Sequence, residues 1–177
     1  MTALRLACYQ GPFWEDGTGD TVTNVAALTV ENTGGQMISQ GAVVLEWEHR
    51  QLVFEVSAIP PGEKVLVLEK DRQALPAGFP DRCYGWTQQI YPENMGHVTA
   101  EDSGESALVI TNHTTDVIPV VTICYKSRAR DRNLYYWGVS YSVEVRDLQP
   151  GEKRVLTPWR YICGSSDVVQ ILTYTEK

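Results

Sequence analysis

The chain has 177 residues, 43% of them apolar and 21% charged, with a net charge of −7 at pH 7. That length suits one large domain or two small ones, and that composition can fill a core, which argues against global disorder. The acidic balance argues against a nucleic-acid partner held by its phosphates and against docking on an anionic membrane surface. No apolar run approaches the roughly 20 residues needed to span a bilayer.

In chain order, the start Met1-Thr2-Ala3-Leu4-Arg5-Leu6-Ala7-Cys8 is too short and too quickly polar for a secretory leader. The expectation is therefore a cytoplasmic chain or an exported one read without its signal or anchor. Glu15-Asp16-Gly17-Thr18-Gly19-Asp20 carries several hard oxygens but lacks the spacing and distal glutamate of an EF-hand, so it reads as a surface loop. Ala27-Leu28-Thr29-Val30-Glu31-Asn32 is an apolar strand stopped by Thr33-Gly34-Gly35. Val43, Leu45 and Trp47 then alternate with Val44, Glu46 and Glu48, and Leu52, Phe54 and Val56 with Val53, Glu55 and Ser57. Period two with branched and aromatic residues is the half-buried strand pattern.

Pro61-Gly62 suits a type II turn, in which proline presets φ and glycine accepts a positive φ at the next position. Residues 73–82 contain Pro76, Gly78 and Pro80 and read as a loop, after which Cys83-Tyr84-Gly85-Trp86 begins a last strand. No segment keeps helical apolar spacing over eleven residues or more.

The same series then recurs at a shift of about 80 residues. Glu101-Asp102-Ser103-Gly104 answers Glu15-Asp16-Gly17, and Ala107-Leu108-Val109-Ile110-Thr111-Asn112 answers 27–32. Val121-Thr122-Ile123-Cys124-Tyr125 answers 43–47. Val143-Glu144-Val145 with Leu148-Gln149-Pro150-Gly151-Glu152-Lys153 answers Phe54-Glu55-Val56 with Ile59-Pro60-Pro61-Gly62-Glu63-Lys64. Cys163 echoes Cys83 before the apolar run 168–172. Four blocks in one order make duplication the better account than chance. The boundary is expected near Tyr91-Pro92-Glu93-Asn94, giving a first β-sandwich repeat over 1–92 and a second over 93–177. One larger sandwich formed by both halves is the alternative.

The order of an apolar strand ending in Asn-x-Gly, a long alternating strand and then Leu/Ile-x-Pro-Gly-Glu resembles the immunoglobulin-like modules found in tandem on bacterial cell-surface and exported proteins. The resemblance rests on 28–32, 43–47 and 59–63 and their counterparts in the second copy. It implies tandem immunoglobulin-like sandwiches and an extracytoplasmic or cell-surface setting, and it brings no catalytic residues with it.

The chemistry-bearing residues are sparse. Cys8, Cys83, Cys124 and Cys163 form no CxxC pair and no metal-ligand spacing with His49, His97 and His113. An even count permits two disulfides, and free thiols are as ordinary. No GxSxG, HExxH or glycine-rich phosphate loop is present. No catalytic residue, cofactor or metal is therefore assigned, and an enzyme is not favoured. Asn112-His113-Thr114 matches a glycosylation sequon.

One segment stands out. Lys126, Arg128, Arg130 and Arg132 contribute four of the fifteen basic residues of an acidic chain, and Leu134-Tyr135-Tyr136-Trp137 follows directly. A strand through them would put the cations on one face, able to meet an anionic partner. The duller readings are a charged hairpin tip that guards an edge strand, and an extension that closes the seam between the copies. Arg128, Arg130, Arg132, Tyr135, Tyr136 and Trp137 are the candidate partner-binding residues. The expected function is a non-catalytic structural or protein-binding module whose partner is an unknown protein or glycan. The alternative is a carbohydrate-binding module that stacks sugars on the aromatics at 135–137.

Overall fold

The computed structural model describes residues 1–90, 96–131 and 133–174, and among them it holds twelve strands and no helix. The first six are β1 (Thr2–Phe13), β2 (Asp20–Glu31), β3 (Ile38–Trp47), β4 (Arg50–Ile59), β5 (Lys64–Leu68) and β6 (Arg82–Gln88). The second six are β7 (Val98–Ser103), β8 (Ala107–Asn112), β9 (Ile118–Arg128), β10 (Tyr135–Leu148), β11 (Lys153–Leu156) and β12 (Ser166–Tyr174). The fold is all-β and made of open sheets rather than a closed barrel, as a sandwich requires.

The chain divides into two compact units. The first comprises Met1–Gln89 and Asp131–Ser140. In it one sheet runs β1-β2-β5, with the start of β10 parallel to β5, and the other runs β4-β3-β6. The second comprises Ile90–Arg130 and Tyr141–Lys177, with sheets β11-β8-β7 and β10-β9-β12. Six strands taken in chain order thus have the same neighbours in each unit, which sets β7 against β1, whereas the sequence blocks set Glu101–Ser103 of β7 against 15–17, beyond the end of β1. Only the basic-aromatic extension breaks the pattern: residues 131–140 follow β9 in sequence yet belong to the first unit. The expected boundary at 91–94 lies outside the described residues.

Each core follows from alternation. Val43 and Leu45 of β3 stand beside Phe54 and Leu52 of β4, and all four are buried, as are Leu28, Val30, Val65 and Val67 on the other sheet of that unit. Side chains of this kind contribute roughly 1.5–3 kcal/mol each by leaving water. In the second unit Leu108, Ile110, Val121, Ile123, Tyr125, Val145, Leu148 and Tyr161 form the equivalent cluster.

The match between β3 and β9 is displaced from the one read off the sequence. Both strands begin with a buried isoleucine, Ile38 and Ile118, at the same distance from Asn32 and Asn112. Tyr125 therefore corresponds to Leu45, and not to Trp47 as the sequence blocks suggest. Tyr125 is 1% exposed, whereas Trp47 is only half-buried at the strand end, its Nε1 donating to the Gly78 carbonyl at 3.4 Å. A slip of two positions keeps every side chain on its face, so alternation could not reveal it.

A buried asparagine fixes the same corner in both units. Asn32 Nδ2 donates to the Gln36 and Ile59 carbonyls at 2.7 and 2.9 Å, and its Oδ1 accepts from Gly34 N–H at 3.0 Å. Asn112 Nδ2 donates to the Asp116 and Leu148 carbonyls at 2.9 and 3.0 Å, and its Oδ1 accepts from Thr114 N–H at 2.8 Å. Both main chains also meet the following turn. Gly62 N–H donates to the Asn32 carbonyl and Asn32 N–H to that of Glu63, while Gly151 and Glu152 serve Asn112 alike. Gly62 and Gly151 have φ of 75° and 68°, and Glu63 and Glu152 close their turns onto Pro60 and Gln149, as the type II reading requires. With its amide fully used and its surface 0% exposed, Asn112 presents no acceptor for a glycan.

Two predictions follow from this packing. Asn112→Ala takes the amide donor from the Leu148 carbonyl and the acceptor from Thr114 N–H, while the Asp116 carbonyl keeps Thr114 Oγ1, and should lower the urea-unfolding free energy by on the order of 2–3 kcal/mol. Asn112→Asp should cost as much, because a carboxylate cannot donate, while His113→Ala, on the exposed neighbour, should change little. A loss below about 1 kcal/mol for both Asn112 variants would contradict the corner's role.

Tyr125 normally ionises near 10.0 but holds its proton to about 12, through burial first and then neighbouring Tyr141. Tyr161 is raised as well, by burial and then by its hydrogen bond to Asp102. The folded state therefore keeps protons that the unfolded chain loses. Stability should be full below pH 10 and decline as the pH rises toward about 12. Tyr125→Phe, which gives up the 2.7 Å bond to the Trp159 carbonyl, should cost about 1 kcal/mol at neutral pH and flatten the alkaline decline. An unchanged decline would refute the assignment.

Candidate interaction surface

β6 is the last strand of the β4-β3-β6 sheet and pairs with β3 in an unbroken antiparallel register from Gln40↔Gln88 to Glu46↔Arg82. Among the described residues no strand pairs with its other edge. Since Val43 and Leu45 point into the core, their partners Gly85 and Cys83, with Thr87, share the inner face. Tyr84 and Trp86 share the outer face with Val44 and Ala42. All seven β6 residues are exposed, Trp86 to 52% and Tyr84 to 45%. Gly85 is required by close approach, because a Cβ there would lie 2.5 Å from the Ala42 carbonyl oxygen.

The outer face is ordered across the sheet. Tyr84 OH donates to Glu46 Oε1 at 2.8 Å and accepts from Gln51 Nε2 at 2.9 Å. The hydrogen bond to Glu46 is the main cause that raises the Tyr84 pKa. Arg82 lies 3.6 Å from Glu46 and over the Tyr84 ring. Beside Trp86 a depression of about 330 Å³ is bordered by Gln40, Glu55 and Ser57. On the inner face a groove of about 310 Å³ runs between β6 and β1, floored by Ala3, Val43, Cys83, Gly85 and Thr87.

The other sheet edges carry features that hinder pairing with a foreign strand. β1 has two register breaks and contains Pro12, and β12 has a break between Val168 and Gln170. β7 carries Glu101 and Asp102, β11 is four residues long with Lys153 and Arg154, and β4 carries Arg50, Glu55 and a positive φ at Ala58. Among the described edge strands β6 alone has an unbroken register, no proline and no charge beyond its first residue.

The described residues of the basic-aromatic segment occupy buried, half-buried and exposed positions. β9 ends at Arg128, so the period that would align the cations stops there. Lys126 is buried, Arg128 is half-buried and ion-paired with Asp167, Arg130 is exposed, and Arg132 lies outside the described residues. Tyr135 and Trp137, 3% and 7% exposed, are interior residues of the first unit, and Tyr136 is half-buried. Trp137 packs edge-on against Tyr9 with ring centroids 5.8 Å apart. Glu15 accepts the Gly138, Val139 and Leu68 N–H groups at 2.9, 3.2 and 2.8 Å. Within the segment, Tyr135 and Trp137 are thus held in the interior of the first unit, while Arg130 is the exposed member.

Elsewhere, Asp16 and Asp20 bind Arg72 at 2.5 and 3.1 Å. Partial burial opposes ionisation of Asp16, but hydrogen bonds from Thr18 and Arg72 outweigh it and lower its pKa. A guanidinium thus fills the place considered for a cation. All four cysteines are free thiols. Among the described residues no cluster of His, Cys, Asp and Glu is arranged to hold a metal, and no helix is long and apolar enough to cross a membrane.

The β6 edge could be read from Tyr84 and Trp86 at i and i+2 in a short strand, but the bareness of its far side could not. No protein-family model matches the chain, and no curated protein sequence does.

Proposed function

We propose that the chain is a non-catalytic module of an exported or cell-surface protein, built from two immunoglobulin-like sandwiches, and that it binds another polypeptide by strand addition to β6. The carrying observation is the contrast among edges. Unpaired N–H and C=O groups on a regular strand are a template for a further strand, and natural proteins suppress that hazard wherever it is not used. The immunoglobulin-like reading is supported by the common strand order of the two units, and the surface setting by the resemblance of their strand-turn pattern. A glycan reading has one observation in its favour, the exposed Tyr84 and Trp86 beside Glu55 and Gln40 on an open face.

Site-specific photo-crosslinking in the source cells tests the proposal. A benzophenone amino acid at Thr87 should give a protein adduct, and the same probe at exposed Val155 of β11 should not. Equal adducts at both positions, none at Thr87, or an adduct lost on deglycosylation would overturn strand addition.

A further inference from the structure

We infer, resting on that reading of β6, that the strand received there is β6 of a second copy of this chain, paired antiparallel about a two-fold axis through Gly85. Such an axis makes the contact isologous, so the strand must complement itself. Reversing Arg82-Cys83-Tyr84-Gly85-Trp86-Thr87-Gln88 against itself does so over its whole length. Arg82 falls opposite Gln88 of the second copy, so no like charges meet. Tyr84 falls opposite Trp86 of the second copy, which makes two aromatic cross-strand pairs on the outer face, where both rings stand in solvent. On the inner face Cys83 meets Thr87, and Gly85 meets its own symmetry mate with no side chain to obstruct the axis.

Electrostatics sets a further signature. Each copy carries −7, so the two repel at long range, although the strand itself holds one cation already matched to Glu46. Salt screens that repulsion while leaving the backbone bonds intact, so association should strengthen as ionic strength rises. A basic partner would give the opposite trend. One strand edge is a small contact beside standard interfaces, so the dimer should dissociate on dilution.

Analytical ultracentrifugation of the full chain over a wide concentration range decides the matter, with cross-linking to fix the register. The expected result is a reversible monomer–dimer equilibrium favoured by salt and weakened by roughly tenfold or more in Trp86→Lys, which places on the strand the charge other edges use for protection. Thr87→Cys should give a covalent dimer under mild oxidation, through Cys83 of the facing copy, and Cys83→Ser in the same chain should abolish it. Circular dichroism and thermal unfolding show whether Trp86→Lys, on an exposed side chain, keeps the fold; if it does not, the Thr87→Cys pair carries the test alone. A monomer at every concentration, or a dimer indifferent to Trp86→Lys with no Cys83-dependent cross-link, overturns self-pairing. A cross-linked adduct at Thr87 of any mass other than twice the chain also overturns it, yet leaves strand addition standing. The absence of any Thr87 adduct removes both.

Discussion

Both units depend on one constraint, a buried primary amide that has to satisfy main-chain groups from three directions. At Asn32 and Asn112 the strand leaves one sheet, the next begins in the other, and the turn after β4 or β10 returns beneath them. A backbone carbonyl enclosed there without a donor would cost about 1–3 kcal/mol. Asparagine supplies two donors and an acceptor in one plane, which no other side chain of that size does except at the cost of a charge. Once the amide is seated, the spacing to Ile38 or Ile118 and the positive φ of Gly62 or Gly151 are both determined. Ala58 and Asp147, at corresponding places one residue before Ile59 and Leu148, share a positive φ of 49° and 53°. The strain they hold is local to this corner and repeated with it.

How much of this was legible from sequence depends on which residues carried the signal. The strands around Leu28, Val43, Phe54, Leu108 and Val145 showed themselves by alternation and by the stops that bound them. The Pro-Gly turns showed themselves because few residues tolerate their dihedrals. The registration of β9 did not, because a shift of two positions conserves the face of every residue and Tyr125 suits an aromatic partner as well as an aliphatic one. Nor did the destination of Tyr135 and Trp137. Their composition matches an interface and a core equally, and what decides between them is the row of N–H groups at Gly138 and Val139 that Glu15, distant in sequence, accepts.

The candidate surface follows from the same logic of satisfied and unsatisfied backbone. Three places in the first unit are closed by a specific acceptor: Asn32 at one end, Glu15 at β10, and Glu69, fully buried, for the N–H groups of Val53, Asp71 and Gln73. β6 is the exception. It has a regular ladder on one side, seven exposed residues and no device on the other side, in a chain that equips its remaining edges with bulges, charges or brevity. That contrast, more than the identity of Tyr84 or Trp86, points to the edge as a place where another strand belongs.

The central claim, that one corner is built twice, is tested most directly by exchanging its two loops. Residues 33–37 and 113–117 are of equal length and share the hydrogen bonds that matter, donated by the N–H of the second residue beyond the asparagine to its Oδ1 and by its Nδ2 to the carbonyl of the fourth. A chain with the two segments swapped, measured by equilibrium urea unfolding, should keep its stability within about 1 kcal/mol of the original. A loss of several kcal/mol, or a failure to fold with both asparagines still in place, would show that the two corners are separate solutions and contradict the account.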